Sequence, residues 1–364
     1  MKCWFGQGLK MKKTAVFKSP LFLAHQTGKG HLESPERLRC IYQELEREEV
    51  ANHLVFPVFK KATASSIKLN HTPELVREVA ATADHQAGYL DADTRTSAAS
   101  YEAALLAAGA VIDGIKRLDR GEIDNGFCLV RPPGHHAERN QAQGFCLFNN
   151  IAVGAKWAIR NLGLERIMII DWDLHHGNGT QNSFYRNDKV LYCSTHQYPF
   201  YPGSGALPES GEGRGLGYTV NIPLIGGHGD DEYARIFNEL YVPLARAYQP
   251  QLILVSCGFD IMVNDPIGAM QVTPAGVAYM TRVLLELAEE LCDGKLLITL
   301  EGGYDLDNMR NGALAVLTEL HGASLASDHP VYLQQNDSNR FRSSRVASAS
   351  LDQAMHWVKN WWNI

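Results

Sequence analysis

Five continuous apolar segments, separated by sequence with helical periodicity, most constrain the fold of this chain. They are GFCLV, RIMII, KVLYCST, QLILVS and KLLITL, at residues 126–130, 166–170, 189–195, 251–256 and 295–300. Strands that are apolar on both faces are typical of parallel sheets covered by helices on each side. KTAVFK at 13–18 is a candidate first strand. The predicted fold class is therefore α/β, a three-layer αβα arrangement around a central, mostly parallel sheet.

The segments between these strands predict the helices of the outer layers. Apolar residues recur at helical spacing over 40–54, 99–119, 149–163, 231–248 and 274–292. The glycine- and proline-rich stretch 196–218 is predicted to be a long surface excursion, which is usually functional or disordered. We expect a single domain over 1–324. Residues 325–364 are predicted to form a polar linker and a C-terminal amphipathic helix that packs on this domain.

The composition argues against several classes of partner. The formal net charge is −6, from 34 basic and 40 acidic residues, so the chain lacks a broad positive field for direct binding to nucleic acid. The N-terminal apolar stretch is interrupted by Lys18 and Pro20, so neither a signal peptide nor a membrane span is recognisable. The seven cysteines are scattered without a CxxC pair, which is typical of reduced thiols. We therefore expect a cytoplasmic protein.

Polar residues with catalytic side chains follow four of the apolar segments directly. RPPGHHAERN follows 126–130, DWDLHHGNG follows 166–170, CGFDIM follows 251–256 and EGGYDL follows 295–300. Ligands of doubly wound sheets bind outside the carboxyl ends of the strands. We therefore expect these four motifs, which are distant in sequence, to meet at one edge of the sheet.

The motif DWDLHHGNG indicates a metal site. Asp171, Asp173 and His175 alternate along an extended backbone, so their side chains point the same way. Asp173 and His175 with Asp260 would form a three-ligand site with positions open for water or substrate. Oxygen and nitrogen ligands without thiolate suit Zn²⁺, although iron(II) or cobalt also fits. Taken alone, an Asp-x-Asp pair is more often turn chemistry, and Asp171 could be an end-of-strand cap or could orient a histidine.

Two further motifs add acid–base and hydrogen-bonding groups. His135 and His136 follow a rigid Pro-Pro-Gly turn, and paired imidazoles in such a position suit proton transfer near neutral pH. Tyr304 could donate a hydrogen bond to an oxyanion, or it could be a packing aromatic. With the metal site, these groups predict metal-assisted hydrolysis. His176, which would point to the other face of its strand, is expected to be structural.

In these motifs the chain resembles the zinc-dependent histone deacetylase family, which includes bacterial acetylpolyamine amidohydrolases and histone deacetylase-like amidohydrolases. RPPGHHA, GFCLFNN, DWDLHHGNGTQ, GFD with DP five residues on, and EGGYD occur in the family's order, and the resemblance covers roughly 15–322. It implies an arginase/deacetylase-like fold with the active site at the carboxyl ends of the strands. It also implies hydrolysis of the amide of N-acetyl-lysine or a related acetylated amine.

The resemblance assigns catalytic roles residue by residue. The zinc ligands would be Asp173, His175 and Asp260, and the hydroxyl of Tyr304 would polarise the carbonyl. His136 would be the principal general base and acid, while His135, paired with Asp171, would act mainly as an electrostatic partner. Asn178 stands where class I members carry an aspartate, and asparagine at this position is the class II pattern. A neutral partner implies a smaller rise in the pKa of His136 than a carboxylate would cause.

Positions for substrate and potassium are also implied by the resemblance. The substrate tunnel would be lined by Gly144, Phe145 and Tyr201, although either ring could instead be loop packing. Asp93 would hold the substrate backbone, or it could cap a helix or be a solvated loop residue. Acetylpolyamine-selective members carry a glutamate where this chain has Ile267. Potassium would be bound beside the DxDxH strand by Asp171, Asp173, His175, Ser194 and Thr195.

Several alternatives stay open at the level of sequence. Substrates could be acetylated proteins or peptides, or small acylated amines such as acetylpolyamines. A catalytically silent acyl-lysine binder would not need the complete set of catalytic groups, and a ureohydrolase would need a second set of manganese ligands. The sequence also leaves a homo-oligomeric state open.

Overall fold

A computed structural model describes residues 11–322 and 348–364. Its main sheet has seven strands in the order β1-β4-β9-β8-β5-β6-β7, and every neighbouring pair is parallel. Those strands are β1 (Thr14–Phe17), β4 (Asn125–Cys128), β5 (Ile167–Asp171), β6 (Val190–Gln197), β7 (Thr219–Leu224), β8 (Leu252–Cys257) and β9 (Leu296–Leu300). The remaining two, β2 (Gly88–Tyr89) and β3 (Arg95–Thr96), form a small antiparallel ribbon. The predicted parallel sheet is confirmed, because strands buried on both faces have no polar side to expose to water.

Helices cover the sheet and complete the three-layer αβα architecture. α6 packs against α7, and α11 packs against α12, which in turn packs against α2. The helices are α1 (Pro20–Ala24), α2 (Glu36–Glu44), α3 (Glu48–Ala51), α4 (Ala64–Ile67), α5 (Pro73–Ala81), α6 (Ser100–Asp119), α7 (Asn150–Leu162), α8 (Asn178–Phe184), α9 (Asp230–Ile236), α10 (Val242–Tyr248), α11 (Pro274–Leu291), α12 (Leu306–His321) and α13 (Ala349–Trp362). No helix within the described ranges is long and apolar enough to cross a membrane.

Two predicted helices differ from the structure. The helix predicted over 40–54 begins earlier, at Glu36, and is interrupted where Arg47 adopts an extended conformation. The interruption lets Leu45 and Val50 both reach the core, although residues five positions apart lie on different faces of a continuous helix. The segment 231–248 contains a π-helical turn at Phe237–Tyr241 between α9 and α10, and such turns are local insertions in an α-helix.

The C-terminal helix α13 packs on β7 through its apolar face. Leu351, Met355 and Val358 are buried, and Trp362 Nε1 donates a hydrogen bond to the carbonyl of Gly217 at 3.0 Å. In the described residues α13 therefore lies against β7. The predicted polar linker falls mostly on 323–347, outside the described residues, so the division of the chain at 324 stays a prediction.

A buried charged cluster connects the loops that follow β4 and β9. Glu33 accepts hydrogen bonds from Arg37 Nη1 at 3.0 Å and from Arg131 Nη2 at 2.7 Å. Arg37 also donates to the backbone carbonyls of Gly303 and Glu301. Burial opposes ionisation of Glu33, but the charge of Arg131 and hydrogen bonds within the cluster hold its pKa well below the usual range. The cluster therefore holds a carboxylate ion at the base of the loop that carries Tyr304.

We expect Glu33→Gln to lower the free energy of unfolding at neutral pH by about 3–5 kcal/mol, because the buried guanidinium groups lose their counter-charge. A depressed pKa stabilises the fold above the ordinary value of 4.5, and this contribution is lost as the pH falls through the lower folded-state pKa. The difference in free energy of unfolding between the parent and Glu33→Gln should therefore become smaller at acidic pH. Urea unfolding at a series of pH values measures the difference in free energy of unfolding between the parent and Glu33→Gln. The matched control is Glu36→Gln, because the Glu36 side chain is about half exposed, at 51%. A gap that is constant with pH would contradict this assignment.

Candidate active site

The order of the strands explains why the four predicted motifs lie together. β9, β8 and β5 are consecutive neighbours in the sheet, and β4 lies on the other side of β9. Because all four strands run parallel, their carboxyl ends reach the same edge. The last residues of these strands and the segments that follow them contain all of the predicted catalytic residues and zinc ligands, whereas the predicted potassium residues Ser194 and Thr195 lie in β6.

Asp173, His175 and Asp260 form a compact buried cluster. One possible ligand atom from each lies within 4.8 Å of the other two, and the structure has this one group of metal-binding type within 11–322 and 348–364. His175 Nδ1 is 3.1 Å from Asp173 Oδ1 and 3.3 Å from Asp260 Oδ2. The geometry thus brings together the three residues that the sequence predicts as metal ligands.

The electrostatics of this cluster fit a bound cation. Burial and the nearby Asp173 carboxylate raise the pKa of Asp260 to about 7. Burial alone would lower the pKa of His175, but the two carboxylates raise it to about 9. Asp260 Oδ2 is buried and has no hydrogen-bond partner among the described residues. Two oxygen donors and one nitrogen donor, with an unsatisfied buried oxygen, are a donor set that suits a divalent metal such as Zn²⁺.

Two glycines leave room for the paired carboxylates. A Cβ atom at Gly302 would lie 2.1 Å from Asp260 Oδ2, and one at Gly258 would lie 2.2 Å from Asp173 Oδ2. The amide of Gly302 also donates to Asp173 Oδ2 at 2.7 Å. Both positions require glycine because any side chain would occupy the space of the ligand oxygens.

The two histidines have different hydrogen-bond partners. His135 Nδ1 lies 3.2 Å from Asp171 Oδ2, whereas His136 Nδ1 lies 2.8 Å from Asn178 Oδ1. Burial would lower the pKa of His135, but Asp173 and Asp171 raise it to about 10. Burial and the neighbouring His135 and His175 lower the pKa of His136 well below its usual value. His136 is therefore the neutral member of the pair and the one able to accept a proton.

Glu301 positions the loop that carries the histidine pair. Its Oε2 accepts hydrogen bonds from the backbone amides of Gly134 at 2.6 Å and His135 at 3.1 Å, and Ser256 donates to Oε1 at 3.0 Å. Glu301 lies within the motif EGGYDL but was not predicted as a site residue. An acidic residue that ends a buried apolar strand was the signal for it.

Tyr304 is held by an aspartate and an arginine. Its backbone amide donates to Asp265 Oδ2 at 2.8 Å, and the Arg37 guanidinium lies 5.0 Å from the centre of its ring. Burial raises the pKa of Tyr304 well above the usual value, so its hydroxyl keeps the proton that it would donate. Asp265, which belongs to the DP motif, is a second functional residue that sequence reasoning passed over. Ile267 follows two residues later, and its backbone amide donates a hydrogen bond to Asp265 Oδ1 at 3.1 Å.

Aromatic rings surround the histidines and Tyr304. The ring of Tyr201 lies 5.0 Å from that of His136, and the ring of Phe145 lies 6.0 Å from that of Tyr304. Gly144 and Phe145 both have positive φ, 57° and 68°, which for phenylalanine is a strained conformation of the kind found at functional sites. The structure therefore brings the predicted tunnel residues Gly144, Phe145 and Tyr201 together beside the cluster.

A neighbouring ring and a loop support these walls. Phe200, which sequence reasoning missed, stacks on His175 at 5.6 Å. His31 contacts the ring of Phe145 at 4.9 Å and hydrogen-bonds the backbone carbonyl of Asp93 at 3.1 Å. The exposed Asp93 thus lies on the Phe145 side of the site, and its contact with substrate stays a prediction.

The remaining predicted residues lie behind the metal cluster. His176 hydrogen-bonds Ser204 Oγ at 2.8 Å and Gln181 Oε1 at 3.0 Å, in agreement with a structural role. Ser194 is paired in register with Asp171, and Thr195 Oγ1 donates to the Asp171 carbonyl at 3.5 Å. Ser194 and Thr195 are therefore close to the predicted potassium position, although potassium binding stays a prediction.

Fold and site together define a class of protein. A parallel αβα sheet carries at one edge an Asp-His-Asp cluster, a neutral buried histidine beside a charged one, and a tyrosine that keeps its proton. These groups are the parts expected of a hydrolase, and the Asp-His-Asp cluster could hold a metal ion.

Comparison with known proteins identifies the family. The model of the histone deacetylase domain matches residues 31–320, so the chain belongs to the histone deacetylase family, whose members are hydrolases of amide bonds. Histone deacetylase 15 of Arabidopsis thaliana is 42% identical over 90% of this chain and 60% of its own length. A probable deacetylase of Archaeoglobus fulgidus is 41% identical over 79% of this chain and 80% of its own length.

A solved structure confirms the fold. The crystal structure of the HDA15 HD domain is 37% identical, with a TM-score of 0.86 over 96% of this chain and 94% of that chain. The chain spans about half to three fifths of the length of two plant relatives, histone deacetylases 5 and 15, at 50% and 60%. The similarity to those relatives therefore concerns their deacetylase domain.

Proposed function

We propose that this protein is a zinc-dependent amidohydrolase that removes the acyl group from N-acetyl-lysine in proteins or peptides. The observation that carries the proposal is the position of the neutral His136, whose ring lies 5.7 Å from that of His175 in the Asp-His-Asp cluster. A proton acceptor beside a metal centre is an arrangement that supports metal-assisted hydrolysis of an amide.

Asp173, His175 and Asp260 would hold the metal. When bound, such an ion polarises the amide carbonyl and lowers the pKa of water. The presence of one such cluster in the described part of the chain supports one metal per site and argues against a binuclear manganese centre.

His136 would move the proton. Its Nδ1 is engaged by Asn178 at 2.8 Å, so Nε2 is the nitrogen left to accept a proton from the attacking water. As the tetrahedral intermediate collapses, the carbon–nitrogen bond breaks and the same nitrogen returns the proton to the departing amine. The products are the free amine and the carboxylic acid, and histidine ends in its starting state.

His135 and Tyr304 would stabilise the charge that develops. The raised pKa of His135, about 10, keeps a positive charge next to Asp171 and beside the reacting groups. The Tyr304 hydroxyl would donate a hydrogen bond to the substrate oxygen as it becomes an oxyanion.

The walls of the site favour an acyl-lysine substrate. Phe145 and Tyr201 offer flat apolar surfaces to the methylene stem of lysine. Ile267, where polyamine-selective members carry glutamate, offers no charge to a second cationic nitrogen. Asp93 at the entrance can accept hydrogen bonds from backbone amides of a peptide.

We also propose a potassium ion behind the metal cluster. Backbone carbonyls of Asp171, Asp173 and His175 would bind it, with Ser194 and Thr195 completing the site. Oxygen ligands of this kind suit a hard monovalent cation, and neutral carbonyls leave the charge balance of the neighbouring carboxylates to the divalent metal.

A kinetic comparison tests the proposed function. We expect the purified protein to carry one zinc per chain in elemental analysis and to hydrolyse acetyl-lysine peptides faster than longer acyl-lysines or acetylated polyamines. Faster turnover of polyamines would assign the small-amine alternative, and two manganese ions per chain would assign a ureohydrolase. Full zinc content without turnover on any of these substrates would indicate a protein that binds acyl-lysine without hydrolysing it.

A further inference from the structure

The carboxylate of Glu138 lies between the histidine loop and helix α8. Its Oε1 accepts hydrogen bonds from Asn178 Nδ2 at 2.7 Å and from Asn182 Nδ2 at 2.8 Å. The two asparagines are four positions apart, so they lie on the same face of the helix. One half-buried carboxylate oxygen thus receives two amide groups, and one of these also contacts the proton acceptor of the site.

We infer that Glu138 is a positioning residue that sets the tautomer of His136 by fixing the orientation of the Asn178 amide. A side-chain amide can present either its oxygen or its NH₂ group to a neighbour. An ionised carboxylate only accepts hydrogen bonds, so Glu138 binds the NH₂ group and turns Asn178 Oδ1 toward His136. That oxygen also only accepts, so the proton of the neutral imidazole is on Nδ1 and the lone pair is on Nε2.

The reverse orientation would disable the same histidine. With NH₂ facing His136, Nδ1 would have to accept, and the proton would move to Nε2, which then could not take a proton from water. His135 needs no such control, because both oxygens of Asp171 accept hydrogen bonds whichever way the carboxylate turns. The substitution of an amide for a carboxylate opposite His136 is therefore what creates the need for Glu138.

The inference rests on the proposed role of His136, and variants can test it through turnover. Glu138→Met keeps the length of the side chain but removes the acceptor, and we expect kcat to fall about 10-fold with little change in KM, the effect typical of outer partners of a site. Glu138→Gln keeps an acceptor oxygen and should restore most of kcat. Asn182→Ala removes the other amide from the same oxygen and should leave kcat near the parent value.

Repeating the Glu138→Met substitution in an Asn178→Asp protein distinguishes two roles of Glu138. One is to orient the Asn178 amide, and the other is only to attach the histidine loop to α8. In Asn178→Asp the facing group has no NH₂ to misplace, so adding Glu138→Met should cost no kcat. An equal loss in both backgrounds would overturn the inference, and so would a loss in Asn182→Ala as large as that in Glu138→Met. Glu138→Ala is the second variant if Glu138→Met does not fold, with melting temperature and zinc content as checks.

Imidazole NMR tests the inference without using activity. In protein labelled with ¹⁵N-histidine, the tautomer of His136 can be recorded, with its signals among the 14 histidines assigned by their loss in His136→Gln. We expect the Nδ1-protonated form in the parent and a gain of the Nε2-protonated form in Glu138→Met. An unchanged tautomer would overturn the inference. An inactive parent would contradict the proposed function alone, because the tautomer would still report the role of Glu138.

Discussion

Asp260→Asn is expected to lose most of its bound zinc and, with it, nearly all deacetylase activity. Asparagine preserves the shape of the side chain and can still accept the backbone hydrogen bond from Leu174, now 3.0 Å from Asp260 Oδ1. It removes the negative charge and the anionic oxygen Oδ2, which lies 3.3 Å from His175 Nδ1 and has no hydrogen-bond partner in the described structure. We expect kcat/KM to fall well beyond the 10- to 100-fold typical of outer partners of a metal site.

Elemental analysis of the purified variant, together with kinetics on an acetyl-lysine peptide, measures both losses. Asp293→Asn is the matched control, since that side chain is 93% exposed, distant in sequence from the cluster and easily replaced. After treatment with a chelator the variant should melt at or above the temperature of the parent, because two buried like charges become one. Full zinc content in Asp260→Asn would show that this residue is not a ligand.

His136→Gln is expected to abolish turnover while zinc content stays at the parent level. General acid–base catalysis contributes about 10²- to 10⁴-fold, and His136 would act in both proton transfers. Glutamine keeps a polar group in contact range of Asn178 but cannot accept and return a proton at neutral pH. Asp260→Asn and His136→Gln together distinguish the residue that would hold the metal from the residue that would carry the proton.

The exposed His85 provides the control for this experiment, as His85→Gln should change neither turnover nor zinc content. Kinetics and elemental analysis on the same preparations measure the turnover and the zinc content of both variants. Loss of zinc from His136→Gln would contradict the division of labour between the two groups. Turnover within a few-fold of the parent would show that another residue carries the proton.

The sheet could be predicted from the sequence because its strands are buried on both faces. A strand such as 166–170 has no polar alternation, and only a sheet covered on each side buries such a segment completely. Helix boundaries were less predictable: the break at Arg47 serves the burial of Leu45 and Val50, which depends on what packs against them.

The site residues could be predicted where one short segment contains several of them. Asp171, Asp173 and His175 occupy alternate positions of one short motif, and His135 and His136 follow a rigid turn. The extended backbone expected for the first motif was wrong beyond Asp171, where β5 ends and residues 173–175 form a bend. The resemblance to a known family then assigned roles that the spacing left open. Phe200 and the positive φ of Phe145 had no comparable local signal, since both depend on the fold of long loops.

The sequence by itself determined the fold class, the edge of the sheet where chemistry occurs, and the types of residue delivered there. Only the tertiary structure decided which further polar groups contact and orient them. The backbone amide of Gly302 donates a hydrogen bond to Asp173, 129 positions away in the sequence. Glu138 accepts one from the side-chain amide of Asn178, 40 positions away. Contacts of this kind depend on strand order and helix packing rather than local periodicity, so the residues that orient the catalytic groups become visible only when the chain is folded.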